Sequence, residues 1–489
     1  MNKFIQSDAA VLPRRPNPLF GRRSLNALII LGGMLSTLLA AYLIVQGRAI
    51  IVVAAIFLVP LLLLLYAQPF VGVMIWLVVM PFVSVLPSAD LAYWAVYRLL
   101  PPTLLCLVVI SRTLKVRAHS PVSLGPPELA MGVLAIFVPG LILFLQTDPS
   151  LALIRFADRV LLPFCLYLVA RLSAPHIKEF LQLRWVALFL ALSQSLIGFL
   201  SWYAPHILPK AWQYLHGQRT TGSFRDPDLY AFVMVLSAVI LIHSGINHKS
   251  SLFRWFSFVT AGVCAIFAFL SLERAAWLGG VLVTIGLICL YPKVMLRLLI
   301  IGALVMAVLG TGILSSHLAL SVDRFGDSDP VYDRLVVFDA MMQMAEMKPI
   351  LGWGYETLDQ NIQHYYRQVN NAYISSRLVT SHNTYMTILT ELGLAGFLLY
   401  MFPVAWWFIL SLRVWQRMAK KGFWSRSLLG ILWLMMLFNF TVSNFMDMRW
   451  FPIGVTLWWL VLGLIANMVY PYLKNRSMPA PALAQKSLS

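Results

Sequence analysis

Apolar runs of about 18 or more residues recur along almost the whole of this chain, and they constrain its fold more than any other feature. Because about 20 residues of α-helix cross the hydrocarbon core of a bilayer, each run predicts a transmembrane helix. Of the 489 residues, 60% are hydrophobic and 11% are charged, whereas a soluble protein has about 45–50% apolar and about 25% charged residues. The sequence therefore predicts an all-α polytopic membrane protein.

The apolar runs predict about 12–14 transmembrane helices and one large, partly helical outer loop. The runs at 49–66 and 98–111 are weak, which leaves twelve and fourteen as the two possible numbers. The predicted spans are 25–45, 49–66, 70–87, 98–111, 127–145, 151–170, 184–203, 227–244, 255–271, 275–291, 294–314, 383–411, 427–446 and 451–470. The predicted regions are a basic cytoplasmic tail (1–24), transmembrane helices (25–314), a periplasmic loop (315–381), C-terminal transmembrane helices (382–471) and a disordered cytoplasmic tail (472–489).

The net charge of +18 could indicate a nucleic-acid-binding protein, but the distribution of lysine and arginine argues against that partner. Most of these residues lie in alternate short loops, the positive-inside pattern that sets the orientation of a membrane protein. The pattern predicts cytoplasmic N- and C-termini, with the first span retained as a signal anchor. It also places the loops that contain Arg219 and His382 on the opposite, periplasmic or extracytoplasmic, face.

The long polar segment before residue 381 is expected to contain two helices. Asp329 followed by Pro330 is typical of a helix start, and Pro349 ends the pattern. We expect this first helix to be amphipathic and to lie along the membrane surface. Its predicted apolar positions are Val331, Leu335, Phe338, Met342 and Ala345. A turn at 352–354 leads to a second, tyrosine-rich helix that is expected to run to about residue 370.

Residues 381–385 (SHNTY) join this polar segment to a long apolar run. The histidine, His382, has two interpretations at this stage. It could cap the helix that begins near Asn383. It could instead act as a general base, because a helix N-terminus and nearby arginines disfavour the charged imidazole, and a neutral imidazole accepts a proton from a hydroxyl group.

Four arginines, Arg219, Arg225, Arg274 and Arg334, are predicted to lie on the outer face, against the positive-inside pattern. Charged groups near membrane depth are costly and are usually functional, and guanidinium groups suit phosphate oxygens. Together they indicate a diphosphate-binding site. The alternative is partial pairing with Glu273 or with lipid phosphates. Two further arginines, at 155 and 159, flank Asp158 and are expected to form a structural ion-pair cluster with it.

The sequence predicts no metal site and no cofactor. The four cysteines, Cys106, Cys165, Cys264 and Cys289, each lie inside an apolar run and have no metal-binding spacing. The loop carboxylates also lack the spacing of a calcium loop.

Several of these segments resemble motifs of the bacterial O-antigen ligase and polymerase family, integral-membrane glycosyltransferases that act on undecaprenyl-diphosphate-linked glycans. Arg334 heads the amphipathic helix, as in that family. The other matching segments are RTTGSF at 219–224, ERAAWL at 273–278, PILGWG at 349–354, HNTY at 382–385 and ELG at 391–393. Their order and spacing match over about residues 190–410.

The resemblance implies a C-type glycosyltransferase fold that is lipid-dependent and metal-independent, in the bacterial inner membrane, with an outer loop above the active site. It also implies a catalytic histidine, His382, and diphosphate-binding arginines, Arg334 and Arg219, with Arg274 and Arg225 as further candidates. One departure is FRDPD at 224–228, where the family commonly has asparagines around the proline. This departure leaves the role of Arg225 open.

The resemblance implies an inverting transferase whose donor is an undecaprenyl-diphosphate-linked glycan and whose acceptor is a glycan such as a lipid A core sugar, in contact with membrane lipid. A polymerase of the same family, with a second lipid-linked repeat unit as acceptor, is the first alternative. An O-linked protein glycosyltransferase is the second. A lipid-linked glycan flippase or another transporter is the alternative from a different class.

Overall fold

The computed structural model describes residues 46, 49–86, 88–114, 123–173, 177–213, 219–312, 315–326, 329–366 and 381–474. The first predicted span, 25–45, and the tail after residue 474 lie outside the described residues. The chain divides into two units, 1–64 and 65–489. Residues 46 and 49–64 are described in the first unit, and the candidate site lies wholly in the second.

All regular structure in the described residues is helical. The helices are α1 (Ala49–Ala67), α2 (Pro69–Val79), α3 (Ala89–Thr113), α4 (Pro126–Leu145), α5 (Ser150–Phe156, Ala157–Leu161 and Leu162–Ser173 in continuous succession), α6 (Ile177–Tyr203), α7 (Pro227–Ile246), α8 (Ser251–Leu270), α9 (Arg274–Leu290), α10 (Pro292–Gly310), α11 (Ser315–Gly326), α12 (Asp329–Met347), α13 (Thr384–Val414), α14 (Arg426–Ser443) and α15 (Pro452–Lys474).

Nine helices in the described part of the chain are long and apolar enough to cross a membrane, and a bent pair at 58–67 and 69–85 could add a tenth. Helix α9 is apolar but shorter, with 17 residues. Helix α5 is long, but its sequence contains four charged residues: Arg155, Asp158, Arg159 and Arg171. These findings confirm the predicted class: the chain is an all-α polytopic membrane protein. The predicted number of spans, twelve or fourteen, stays a prediction.

The core of the second unit is built around α7 and α15. In each of these helices 83% of the most apolar stretch is buried, whereas the corresponding value for α10 is 6%. Helix α7 packs against α6, α8 and α14, and α15 packs against α5, α13 and α14. The apolar side chains that α10 leaves exposed suit a lipid environment, because transmembrane helices need not bury their apolar faces in protein.

Helix α12 forms where the proline-initiated pattern predicts it, but it buries a different face. The predicted stripe is largely exposed, with Val331 and Phe338 each 44% exposed. The buried residues are Val336, Val337, Ala340, Met341, Met344 and Ala345. The helix is apolar on both faces, so its sequence period did not decide which face packs inward; the contact with α13 decides it. Up to residue 366, the predicted second helix is a short turn, Leu358–Asn361, followed by the 3-10 segment Ile362–Tyr365. Its predicted end, at about residue 370, lies outside the described residues.

Two glycines lock the turn after α12 into a break in α13. Gly393 lies inside α13 with φ +64°, and Gly352 lies in the turn with φ +69°. A Cβ atom on Gly393 would lie 2.3 Å from the Ile350 carbonyl oxygen, so only glycine allows this backbone contact. Four backbone hydrogen bonds cross the break: Trp353 N to Thr390 O (3.0 Å), Gly354 N to Glu391 O (2.8 Å), Leu394 N to Pro349 O (2.8 Å) and Ala395 N to Ile350 O (3.1 Å).

This docking fixes α12 relative to α13. The indole nitrogen of Trp353 donates to the Met344 carbonyl oxygen at 2.8 Å, near the end of α12. Trp353 also packs on a small core that includes Met341, Leu358 and Ile362. Because Arg334 lies on α12 and His382 lies just before α13, the turn determines the relative positions of these two side chains.

Candidate active site

The helix that follows His382 is capped by Asn383. The Asn383 side-chain oxygen accepts hydrogen bonds from the backbone N–H groups of Tyr385 and Met386, both at 3.0 Å. An N-cap side chain of this type stabilises the first turn of a helix. The cap function therefore belongs to Asn383, and His382, which is exposed, is left outside it.

The turn that carries His382 is held by the connection between α14 and α15. The Asn383 side chain donates to the Asn444 carbonyl oxygen at 3.1 Å. The Thr384 hydroxyl donates to the Met446 carbonyl oxygen at 3.0 Å and accepts from the Met448 N–H at 2.9 Å. Both residues next to His382 on its C-terminal side are thus tied to a second segment, which limits the freedom of the histidine backbone.

A buried ion triad lies behind this turn. Arg449, with a side chain 4% exposed, pairs with Glu391 of α13 at 2.9 Å and with Asp447 at 2.8 Å. A small polar cavity of about 10 Å³, the size of one water molecule, adjoins the triad. Its lining residues are Glu356, Leu358, Asp359, Ser381, Thr387, Glu391, Asp447, Arg449 and Trp450. This triad was not among the predicted sites; charged residues in a short connection between two spans are the sequence signal for it.

Arg334 brings positive charge to His382. Partial desolvation lowers the pKa of the His382 imidazole, and the charge of Arg334 lowers it further, against opposing contributions from Asp333 and Asp447. His382 itself is exposed, so a substrate can reach it from outside the protein. A histidine with a lowered pKa is neutral near pH 7, which is the form that accepts a proton.

Arg219 belongs to a second cluster, at the start of α7 and α9. Its guanidinium Nη1 lies 2.5 Å from Oε1 of Glu273, the residue before α9. The charges of Glu273, Arg219 and Arg334 all act on the carboxyl group of Asp228, in the first turn of α7. Arg334 thus acts on both His382 and Asp228 and connects the two clusters.

The other two candidate arginines are placed differently. Arg274 is the first residue of α9, directly after Glu273, and it also has an interaction partner. Arg225 is exposed and lies in the left-handed region with φ +57°. Within the described part of the chain, no hydrogen bond or ion pair connects the Arg225 side chain to either cluster. The cap of α7 is Asp226, which accepts from Leu229 N at 2.8 Å.

The match to known protein families falls on this part of the molecule. Residues 256–401 match the family model described as O-Antigen ligase (Wzy_C). Residues 256–401 are therefore similar to the O-antigen ligase family. The resemblance inferred from the sequence motifs is thereby confirmed for that range. No curated protein matches the chain.

The O-antigen ligase segment contains only part of the candidate site. It runs from α8 into α13 and includes Glu273, Arg274, Arg334 and His382. Arg219 and Asp228 precede it, and the α14–α15 connection with the ion triad follows it. The family is one of membrane glycosyltransferases of polysaccharide and lipopolysaccharide biosynthesis, which use a lipid-linked glycan donor and a glycan acceptor.

Arg155 and Arg159, which precede the matched segment, do not pair with Asp158 as expected. Asp158 instead receives two hydrogen bonds from Arg98 of α3, at 2.8 and 2.6 Å. Arg155 and Arg159 both pair with Glu356, which follows the docked turn. Residues 157–161 are π-helical, which changes the direction of side chains around the helix, and partners from neighbouring elements then reach them. These pairs tie the segment between α12 and α13 to α5.

Proposed function

We propose that this protein transfers a glycan from undecaprenyl diphosphate to a hydroxyl group of an acceptor, such as a lipid A core sugar, on the periplasmic face of the bacterial inner membrane. The observation that carries the proposal is the accessible His382, on which the charge of Arg334 acts, together with the Arg219–Glu273 pair at the start of α9. A neutral base and two guanidinium groups at one end of a membrane helix bundle suit this chemistry. We assign both termini to the cytoplasm.

The proposed reaction is a single inverting displacement. His382 takes the proton from the acceptor hydroxyl as the oxygen attacks the anomeric carbon of the donor. The new carbon–oxygen bond forms while the bond to the diphosphate breaks, and that electron pair leaves on undecaprenyl diphosphate. Arg334 and Arg219 stabilise the charge on the leaving group, because guanidinium groups bind phosphate oxygens with two parallel hydrogen bonds. Arg274 and Arg225 are proposed as further contacts to the donor.

Separate measurement of donor binding and of transfer tests these roles. His382→Ala should lose about 10²–10⁴-fold in transfer rate, the usual contribution of a general base, and should still bind the donor. Arg334→Ala should lose about 10²–10³-fold in rate and should also bind the diphosphate more weakly. Arg334→Lys should recover only part of each loss, because lysine keeps the charge but not the planar fork.

Donor binding and single-turnover transfer should be measured for these variants in purified, folded protein. Tyr203→Ala, at an exposed position of α6, serves as the matched control and should retain wild-type behaviour. Transfer by His382→Ala at close to the wild-type rate would remove His382 from the base role.

We also propose that the reaction needs no metal ion. Among the described residues, no three His, Cys, Asp or Glu side chains are grouped as a metal-binding set. Transfer should therefore survive EDTA, which removes the ions that such groups bind. Loss of transfer in EDTA, with recovery on addition of magnesium or manganese, would contradict this assignment.

Release of undecaprenyl diphosphate from the donor by purified protein distinguishes a transferase from a flippase, because a transporter breaks no bond.

Deletion of the gene distinguishes a ligase from a polymerase. Unattached full-length glycan chains would indicate a ligase, whereas single repeat units on the acceptor would indicate a polymerase. Glycan missing from protein instead would indicate an O-linked protein glycosyltransferase.

A further inference from the structure

The α14–α15 connection lies along one face of α13 and contacts it at two points. Thr384 and Glu391 share this face, because residues about seven positions apart in a helix lie on the same side. The Thr384 hydroxyl bonds two backbone groups of the connection, at 3.0 and 2.9 Å. The Glu391 carboxylate accepts a hydrogen bond from Arg449 of the connection at 2.9 Å. The first of these contacts lies two residues after His382.

Arg449 makes the buried one of the two contacts. Its side chain is 4% exposed and divides its hydrogen bonds between two carboxylates. Nε and Nη2 donate to Asp447 at 3.0 and 2.8 Å, and Nη1 donates to Glu391 at 2.9 Å. A planar guanidinium group holds two carboxylates at fixed angles, whereas the ammonium group of lysine is a point charge. Arg449 therefore fixes both the distance and the angle between the connection and α13.

Helix α5 supports the opposite side of the connection. The Arg159 guanidinium lies 4.0 Å from the ring centre of Trp450, the residue after Arg449. Arg159 also pairs with Glu356, so its own position is fixed. The connection is thus held between α5 and α13.

Residues on both sides of His382 contact this assembly. Ser381, directly before it, lines the same small cavity as Arg449 and Glu391. Thr384, shortly after it, bonds the connection. A catalytic base must lie within hydrogen-bonding distance of the proton that it takes, and a displacement of about 1 Å can cost about 10²-fold in rate. The position of the connection therefore affects how well His382 can act.

We propose that Arg449 is a positioning residue that holds the α14–α15 connection against α13 and thereby places His382 for proton transfer. The inference rests on the proposed role of His382 as the base. Because Arg449 is buried, it acts through the turn and not by contact with substrate. Its loss should slow transfer and leave donor binding, which is assigned to Arg334 and Arg219, unchanged.

The experiment measures the transfer rate with saturating native lipid-linked glycan, the Kd of undecaprenyl diphosphate, and the Tm, for each purified variant. Arg449→Gln should lose about 10²-fold in transfer rate, keep the wild-type Kd and have a lower Tm. Arg449→Lys should recover part of the rate, because lysine restores the charge but not the fork.

Arg171→Gln is the matched control, because Arg171 is also a buried arginine in an ion pair. Its side chain is 1% exposed and pairs with Glu128 in the first turn of α4. The other end of α4 lies near the connection: Gln146 donates to the carbonyl of Tyr355, whose ring centre is 5.8 Å from Arg449. At about 1.5 Å per residue, α4 separates the two ion pairs by about 30 Å. Arg171→Gln should lower the Tm, since it leaves a buried carboxylate without its guanidinium partner, and should keep the wild-type transfer rate.

Thr384→Val tests the same contact from the side of α13, and it replaces Arg449→Gln if that variant does not fold. Valine is similar in size to threonine but has no hydroxyl group to bond the connection. The rate losses of Thr384→Val and Arg449→Lys should not add in the double variant, because both act through the connection.

The role given to Arg449 would be overturned by a wild-type transfer rate in Arg449→Gln, or by a donor Kd that weakens together with the rate. Additive losses in the double variant, or an equal loss of rate in Arg171→Gln, would overturn it as well. A wild-type transfer rate in His382→Ala would instead contradict the proposed function.

Discussion

At the scale of single residues, the site depends on a division of tasks between neighbours. Asn383 caps α13, and Thr384 anchors the turn to the α14–α15 connection. His382 is therefore not needed for either structural task. Its imidazole is affected mainly by partial desolvation and by Arg334, both of which lower its pKa. Because Asn383 and Thr384 perform the capping and anchoring tasks, the structure supports the proposal that His382 acts as a base.

The lowered pKa of His382 predicts where transfer declines in acid. The neutral imidazole is the active form, so the rate should hold through neutral pH and fall only below the ordinary histidine value of about 6.5. Arg334→Gln removes a positive charge that opposes protonation, so the acid limb of this variant should move to higher pH. The measurement is the transfer rate at saturating donor as a function of pH.

Two carboxylate variants control this experiment. Asp333→Asn removes a charge that favours protonation of His382, so its acid limb should move to lower pH. Asp226 has a pKa of about 6, raised by burial and by Asp228, and it titrates in the same pH range. Asp226→Asn should keep the wild-type limb. If instead only Asp226→Asn moves the limb, the titration does not belong to His382.

At the scale of structural elements, the decisive contact is the docking of the turn after α12 into α13. Gly352 and Gly393 meet through their backbones, and each would place a Cβ atom within 2.4 Å of the other segment. The break at Gly393 also frees carbonyl groups of α13, which accept hydrogen bonds from the turn. The interruption of α13 is therefore stabilised by the loop that it positions.

Gly393→Ala should weaken this assembly. The substitution places a side chain at φ +64° and against the Ile350 carbonyl, and we expect a loss of about 1–3 kcal/mol of stability with a lower Tm in detergent. Transfer should decline as well, because α12 carries Arg334.

Gly262→Ala in α8 is the matched control. A Cβ atom there meets no other atom within 4 Å, and alanine favours a helix by about 0.5–1 kcal/mol over glycine. Its Tm should equal or exceed that of wild type. Equal Tm values for Gly262→Ala and Gly393→Ala would show that the docked turn does not contribute to stability.

At the scale of the whole molecule, the two ends of α13 have opposite character. His382 and the buried triad lie at its start, whereas its end leads to exposed Arg413, Arg417, Lys420 and Lys421. The part of α13 after the break at Gly393, residues 394–414, is about 32 Å long at about 1.5 Å per residue, enough to span the hydrocarbon core of a bilayer. The site and the basic connection are therefore predicted to lie on opposite sides of the membrane.

Single cysteines at Gln360 and Lys420, both exposed, test this orientation. The background should lack Cys106, Cys165, Cys264 and Cys289, because two of them, at 106 and 289, are exposed. An impermeant thiol reagent should label only the cysteine at 360 in intact cells, and both after the membrane is opened. Labelling of the cysteine at 420 in intact cells would reverse the orientation.

The sequence alone determined the membrane class, most helix positions and the motifs of the family. Hydropathy and the residues that begin and end helices depend only on neighbouring positions in the sequence, so helix positions can be predicted from them. The helix that begins at Asp329, with a stop at Pro349, illustrates this: α12 runs Asp329–Met347. The candidate arginines and His382 could also be identified from their positions in the sequence alone, because charged residues near membrane depth are rare.

Only the tertiary structure decided which of these residues act together. Arg219 meets Glu273, Arg98 meets Asp158, and Arg449 meets Glu391 across 54, 60 and 58 positions of sequence. The buried face of α12 was likewise decided by its neighbour, because both faces are apolar. Such pairings depend on how helices pack and where Gly393 interrupts one of them, and no local period in a single sequence encodes that arrangement.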